Sequence, residues 1–175
     1  MSIRGIALYS GRAAAFAAVV SAVYAVWCRL RGRKLDWRKL LGIAYIAALI
    51  QITVLRGGVN WAQVFAGGRD APRLTPLATT LAEFRGGAWS FTYHTVGNLM
   101  WFAPLGWMLR RRKPWTVLLA GAALSAGIEL MQFLLMTGVT DIDDVILNTL
   151  GALLGWGIAR AAWRWGALRG SAKNG

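Results

Sequence analysis

The chain has 175 residues, 57% of them hydrophobic and 15% charged, with a formal net charge of +13. A water-soluble domain carries about 25% charged residues, so the composition excludes an ordinary soluble domain and fits a polytopic α-helical membrane protein. The excess of Lys and Arg would suit nucleic acid in a soluble chain, but these residues cluster just outside long apolar runs, where cytoplasmic loops collect them, and nucleic-acid binding is not expected.

Five apolar runs predict five transmembrane helices in an all-α bundle. Strand-like alternation, the mark of a membrane barrel, is absent. The first span covers about Ala13–Trp27 and extends back towards Ile6 if Arg12 snorkels to the surface. It has no compact basic start, and the basic run Arg29–Lys39 follows it, so it reads as a retained helix rather than a cleaved signal. The second span is about Leu40–Leu55. Its sixteen residues reach roughly 24 Å, short of the ~30 Å hydrocarbon core, and Lys39 and Arg56 can snorkel at its ends. A long segment rich in Gly, Arg and Pro, Arg56–Ser90, follows. Loops of this length are often functional, and Arg73–Phe84 within it is open to a re-entrant or a surface-lying course.

The third span, about Tyr93–Leu109, is interrupted by Pro104, which leaves the carbonyl of Met100 without its helical partner. The fourth is about Thr116–Thr137 and the fifth about Ile142–Trp165. With this layout, one side receives fourteen Lys and Arg and the other six. The positive-inside tendency then places the N-terminus outside and the C-terminus inside. Trp27, Trp37, Trp115, Trp163 and Trp165 fall near the expected interfaces, where indole rings prefer to sit.

The chemistry-bearing residues lie in the last two spans. Carboxylates at bilayer depth are costly and mark functional sites by default. Glu129 and Gln132 share one face of span four, with Ser125 a turn earlier. Asp141, Asp144, Asn148, Gly151 and Gly155 form one continuous stripe on span five. The Gly151–Gly155 step allows another helix to approach closely, so the stripe should face protein. A homo-oligomer assembled through such small-residue faces is compatible with it. In span three, Asn98, Phe102, Pro104 and Gly106 form an N-x3-F-x-P-x-G pattern, with His94 one turn before Asn98.

Each of these has a structural alternative. Asn98, Gln132 and Asn148 are residue types that commonly glue helices together. Asp141 suits the N-cap of span five, and Asp143, taken to lie near the outer surface, suits its first-turn dipole. His94 near an interface is more often solvated than catalytic. Glu129 and Asp144 are the strongest functional candidates, as acid and base or as ligand-binding groups. Arg56 and Arg73 are candidate partners, either offsetting a buried acid or clamping a phosphate. One Cys (Cys28) and one His (His94) in the chain provide no disulfide and no clustered metal site, and no cofactor is expected.

At these residues the chain resembles the VanZ-like family of bacterial membrane proteins, named for one associated with teicoplanin resistance. Asn98-Leu99-Met100-Trp101-Phe102-Ala103-Pro104-Leu105-Gly106 looks like its N-x3-F-x-P-x-G segment. Glu129-Leu130-Met131-Gln132 looks like its E-x-x-Q segment, and Asp141–Gly151 like its D-x-D-D-x-x-x-N-x-x-G segment. Arg56 and Arg73–Leu77 resemble weaker upstream positions. Family members often carry an Arg shortly before the third segment, and Gly138-Val139-Thr140 has none. On this resemblance residues 40–165 form the family domain, 1–39 a variable transmembrane addition with a basic cytoplasmic loop, and 166–175 a basic cytoplasmic tail. It implies a role in the cell envelope or in glycopeptide tolerance, without supplying a reaction.

Three functions fit. An outward-facing polar pocket would bind a lipid-linked cell-wall precursor or a lipoglycopeptide. An intramembrane enzyme would use Glu129 and Asp144 as acid and base on an envelope lipid, which requires environments that separate their pKa values. A small proton-coupled transporter would use an intramembrane acid, and no internal repeat of the kind common in such carriers is evident.

Overall fold

The computed structural model describes residues 3–55 and 57–171. Its seven helices are α1 (Ile3–Leu30), α2 (Trp37–Thr53), α3 (Trp61–Ala66), α4 (Ala78–Gly86), α5 (Ala88–Met108), α6 (Pro114–Leu135) and α7 (Ile142–Ser171). No strand occurs among the described residues, in line with the all-helical expectation. Segments within α1, α6 and α7, namely Tyr9–Leu30, Pro114–Leu135 and Ile142–Trp165, are long and apolar enough to cross a membrane. Apolar side chains cover much of the outer surface, including Val19, Val23, Leu119, Leu130, Leu154 and Ile158. A helix surface of this kind suits lipid as its solvent.

The chain divides into two compact units, residues 1–69 with 131–138, and residues 70–130 with 139–175. In the first unit α1 and α2 pack on each other. The turn between them uses Gly32 at φ 62°, a left-handed conformation that glycine adopts without a Cβ clash. Asp36 then caps α2 by accepting from the Arg38 N–H at 3.0 Å. Asn60 caps α3 in the same manner, accepting from the Gln63 N–H. The last turns of α6 also belong to this unit. There Arg69 donates to the Leu134 carbonyl and lies 5.7 Å over the Phe133 ring.

In the second unit α5 and α7 run in the same direction and lie directly against each other. The contact between α5 and α7 is made by backbone. A Cβ on Gly151 would lie 2.3 Å from the Leu99 carbonyl oxygen, one on Gly155 2.0 Å from that of Ala103, and one on Gly106 1.8 Å from that of Ala152. Only glycine permits an approach this close. The small-residue face of α7 is therefore filled by α5 of the same chain. Phe102, with no exposed surface, sits in this core. α5 continues unbroken through Pro104.

The segment expected to connect spans two and three as a loop is partly helical. α4 has nine residues, about 14 Å by helical rise, and packs on α5 and α7. Only Gly87, at φ 127°, separates α4 from α5. Phe84 and Phe91 meet edge to face across this corner at 5.4 Å, and the Ser90 hydroxyl donates to Glu83.

Candidate functional site

The α6–α7 turn and the first turns of α7 gather most of the polar residues singled out above. Asp141 precedes α7 and caps it, its Oδ1 accepting from the Asp143 N–H at 2.9 Å. Its Oδ2 accepts from the Thr79 hydroxyl of α4. Its own N–H donates to Glu129 Oε2 at 2.8 Å, so the buried Glu129 holds the turn that leads into α7. Thr140 strengthens the same joint by donating its hydroxyl to the Glu129 carbonyl at 3.2 Å.

Asp143 differs from expectation. Taken from sequence as a residue near the outer surface that complements the helix dipole, it is fully buried. Residues 70–80 fold back over the turn and cover it: Arg73 pairs with Asp141 in an isolated parallel bridge. The Arg73 N–H donates to the Thr140 carbonyl at 2.9 Å, and the Arg73 carbonyl accepts from the Ile142 N–H at 3.0 Å. Asp143 then accepts from the Leu77 N–H, the Thr80 N–H and the Thr80 hydroxyl, the last two at 2.8 and 2.9 Å. Leu77, the residue before α4, sits at φ 63° and offers no side-chain cap of its own. Asp143 thus caps α4 from a remote part of the chain, satisfying amides that a helix N-terminus leaves unpaired.

Asp144 points the other way, towards α5. Asn98 Nδ2 donates to Asp144 Oδ1 at 2.6 Å, and His94 Nε2 lies 3.6 Å from the same oxygen. The His94 and Asp144 side chains remain 20% and 25% exposed. His94 Nε2 itself is buried and makes no hydrogen bond. One turn along α7, Asn148 donates to Ser125 of α6 at 2.9 Å, and its buried Oδ1 is left without a donor.

Not every candidate joins this cluster. Gln132 belongs to the first unit, where its amide donates to the Thr53 carbonyl at 3.0 Å and packs against Gly138. The Arg73 side chain is exposed and its main chain is what ties it to Asp141. Arg56 lies outside the described residues. Among the described residues, no Lys or Arg forms an ion pair with any of these carboxylates, and the nearest basic side chain is the His94 imidazole beside Asp144. Gly106, Gly151 and Gly155 set the spacing of α5 and α7, and Phe102 is buried beside them, whereas Pro104, expected as a packing residue, is exposed.

Sequence reasoning missed Leu77, Thr79 and Thr80 as partners of the acidic turn. The signal available was the Pro76 step followed by two hydroxyl residues at the start of a helical pattern, which reads as a helix start. Nothing local says that its cap comes from Asp143.

The fold and site define a helical membrane protein in which three consecutive helices enclose a cluster of carboxylates and amides. Residues 42–164 match the VanZ/LLP1 family. The chain is also 32% identical over 122 residues to Protein VanZ of Enterococcus faecium, a match covering 67% of this chain and 70% of that protein. The chain belongs to the VanZ family. No solved structure matches it.

Proposed function

We propose that the chain is a multi-pass protein of the bacterial cytoplasmic membrane, with five crossings and its N-terminus outside. We further propose that an outward-facing polar site centred on Asp144 binds a lipid-linked cell-wall precursor or a lipoglycopeptide, and that this contributes to tolerance of teicoplanin-type antibiotics. The observation that carries this reading is the division of labour among the acids. Asp141, Asp143 and Glu129 each accept from the backbone of the chain itself. Asp144 instead has only side-chain partners noted above, Asn98 and His94, and retains exposed surface.

A carboxylate flanked by an amide and an imidazole suits a ligand rich in hydroxyl and amide donors, as sugars and peptides are. The exposed Arg73 beside the same turn supplies a cation for a phosphate of a lipid-linked ligand. The test is glycopeptide susceptibility of a sensitive bacterial host expressing wild type or Asp144→Asn at matched membrane levels. Wild type should raise tolerance and the variant should not. A variant as protective as wild type would remove Asp144 from the function.

A second reading is favoured by the 3.6 Å approach of His94 to Asp144. An imidazole close to a carboxylate can act as a general base, so the same site would act on an envelope lipid. Release of product from a labelled lipid by purified protein, lost in His94→Gln, separates this enzyme from a binding protein.

A further inference from the structure

At the opposite end of α5 and α7 lies a cavity of about 460 Å³ lined by Arg110, Arg111, Ala159, Arg160 and Trp163. Small-molecule pockets run to about 300–1,000 Å³, so the space is ample for a head group. Its basic residues are held in place. Trp156 donates its indole N–H to the Arg112 carbonyl at 3.1 Å, pinning the α5–α6 turn to α7. Arg110 donates to the Trp107 carbonyl at 3.1 Å, and Arg160 lies 5.1 Å over the Trp156 ring.

Among the described residues no carboxylate pairs with these three guanidinium groups. The sequence contains no Asp or Glu between Phe84 and Ile128, nor after Asp144. The nearer carboxylate of α7, Asp144, is sixteen residues from Arg160, about 24 Å along the helix. Arg110 and Arg160 are half-buried. Partly desolvated cations without a paired carboxylate call for an external anion.

The position fixes which anion. Arg160 lies five residues before the end of the apolar stretch Ile142–Trp165, about 8 Å inside it by helical rise. Arg110 and Arg111 follow Leu109, the residue that closes α5. Trp163, 71% exposed at the rim, is a residue type that favours the membrane–water boundary. Basic pockets between transmembrane helices at that depth accept lipid phosphates.

We infer that this cavity binds the phosphodiester head group of an anionic phospholipid, with Arg110, Arg111 and Arg160 as its ligands and Trp163 against the glycerol. The site is separate from the acidic cluster and does not depend on the function proposed for it.

The test uses full-length protein in neutral detergent, titrated with phosphatidylglycerol, phosphatidylcholine of the same chain length, or inorganic phosphate. Bound lipid is read by native mass spectrometry. Phosphatidylglycerol should be retained and phosphatidylcholine should not. The triple variant R110Q/R111Q/R160Q should weaken retention by about tenfold or more, since charge-assisted Arg–phosphate bonds are strong. The control R31Q/R33Q/K34Q removes the same charge from the α1–α2 turn and should retain the lipid like wild type. Arg111→Gln alone, at an exposed position, carries the same test should the triple variant not fold, with a smaller loss expected. Equal retention of the two lipids would overturn the inference. So would an equal loss in the control, undiminished binding by every cavity variant, or displacement of the lipid by millimolar inorganic phosphate.

Discussion

Four carboxylates within sixteen residues, Glu129, Asp141, Asp143 and Asp144, have four different sets of partners. Their hydrogen bonds predict different consequences of losing each one. Asp143→Ala would strand the Leu77 and Thr80 amides at the start of α4. Buried donors left unpaired cost about 1–3 kcal/mol each, and these two are only part-buried, so thermal unfolding in detergent should show a loss towards the low end of the pair's range, about 2–4 kcal/mol. Asp143→Asn keeps an acceptor and should cost less. Asp144→Asn leaves the helix termini capped, so its melting temperature should stay close to wild type while the proposed tolerance is lost. If Asp144→Asn unfolds as readily as Asp143→Ala, Asp144 is a structural residue like its neighbour. The i, i+3 and i, i+7 spacing made Asp144 and Asn148 legible as inward-facing from sequence. The same periodicity placed Gln132 with Glu129, but its amide reaches the Thr53 carbonyl. Helical spacing reports the face of a residue and not the element that covers it.

At the level of elements, glycines two residues apart on α7 have opposite surroundings. A Cβ on Gly155 would fall 2.0 Å from the Ala103 carbonyl oxygen, whereas one on Gly157 would meet nothing within 4 Å. Gly155→Ala must push α5 away. The cost should reach about 1–3 kcal/mol, as overpacking does, or more because the clash is with backbone. Gly157→Ala should be neutral or stabilising by about 0.4–1 kcal/mol, through a less mobile unfolded chain. Paired melting curves check both, and equal losses would show that α5 and α7 do not approach through glycine. The Gly151-x-x-x-Gly155 motif announced a close helix contact but not its partner. Helices α3 and α4 escaped hydropathy, because six and nine residues are too few for its window, and the helix-start signal at Pro76 is weakened by Leu77, which precedes α4 with no cap of its own.

For the whole molecule, the charge distribution and the positions of the two clusters agree along the second unit. The carboxylates gather at the start of α7, and Arg110, Arg111 and Arg160 at the far ends of α5 and α7. The proposed topology predicts that a phosphatase fused after Gly68 is active and that one fused after Gly175 is inactive. The reverse pattern would invert the protein in the membrane and place the acidic site inside. The long apolar helices were legible because hydropathy is additive over a span. The covering of the α6–α7 turn by residues 70–80 was not, since it depends on pairings between residues more than sixty positions apart. That separation has a consequence for biogenesis. The ribosome makes α4 some 63 residues before Asp143, about 3–13 s earlier at ordinary synthesis rates. Throughout that interval the start of α4 has no carboxylate to receive its amides. The arrival of α7 therefore completes the protein in time as well as in space, and a nascent chain stopped at Thr140 should leave α4 open to protease.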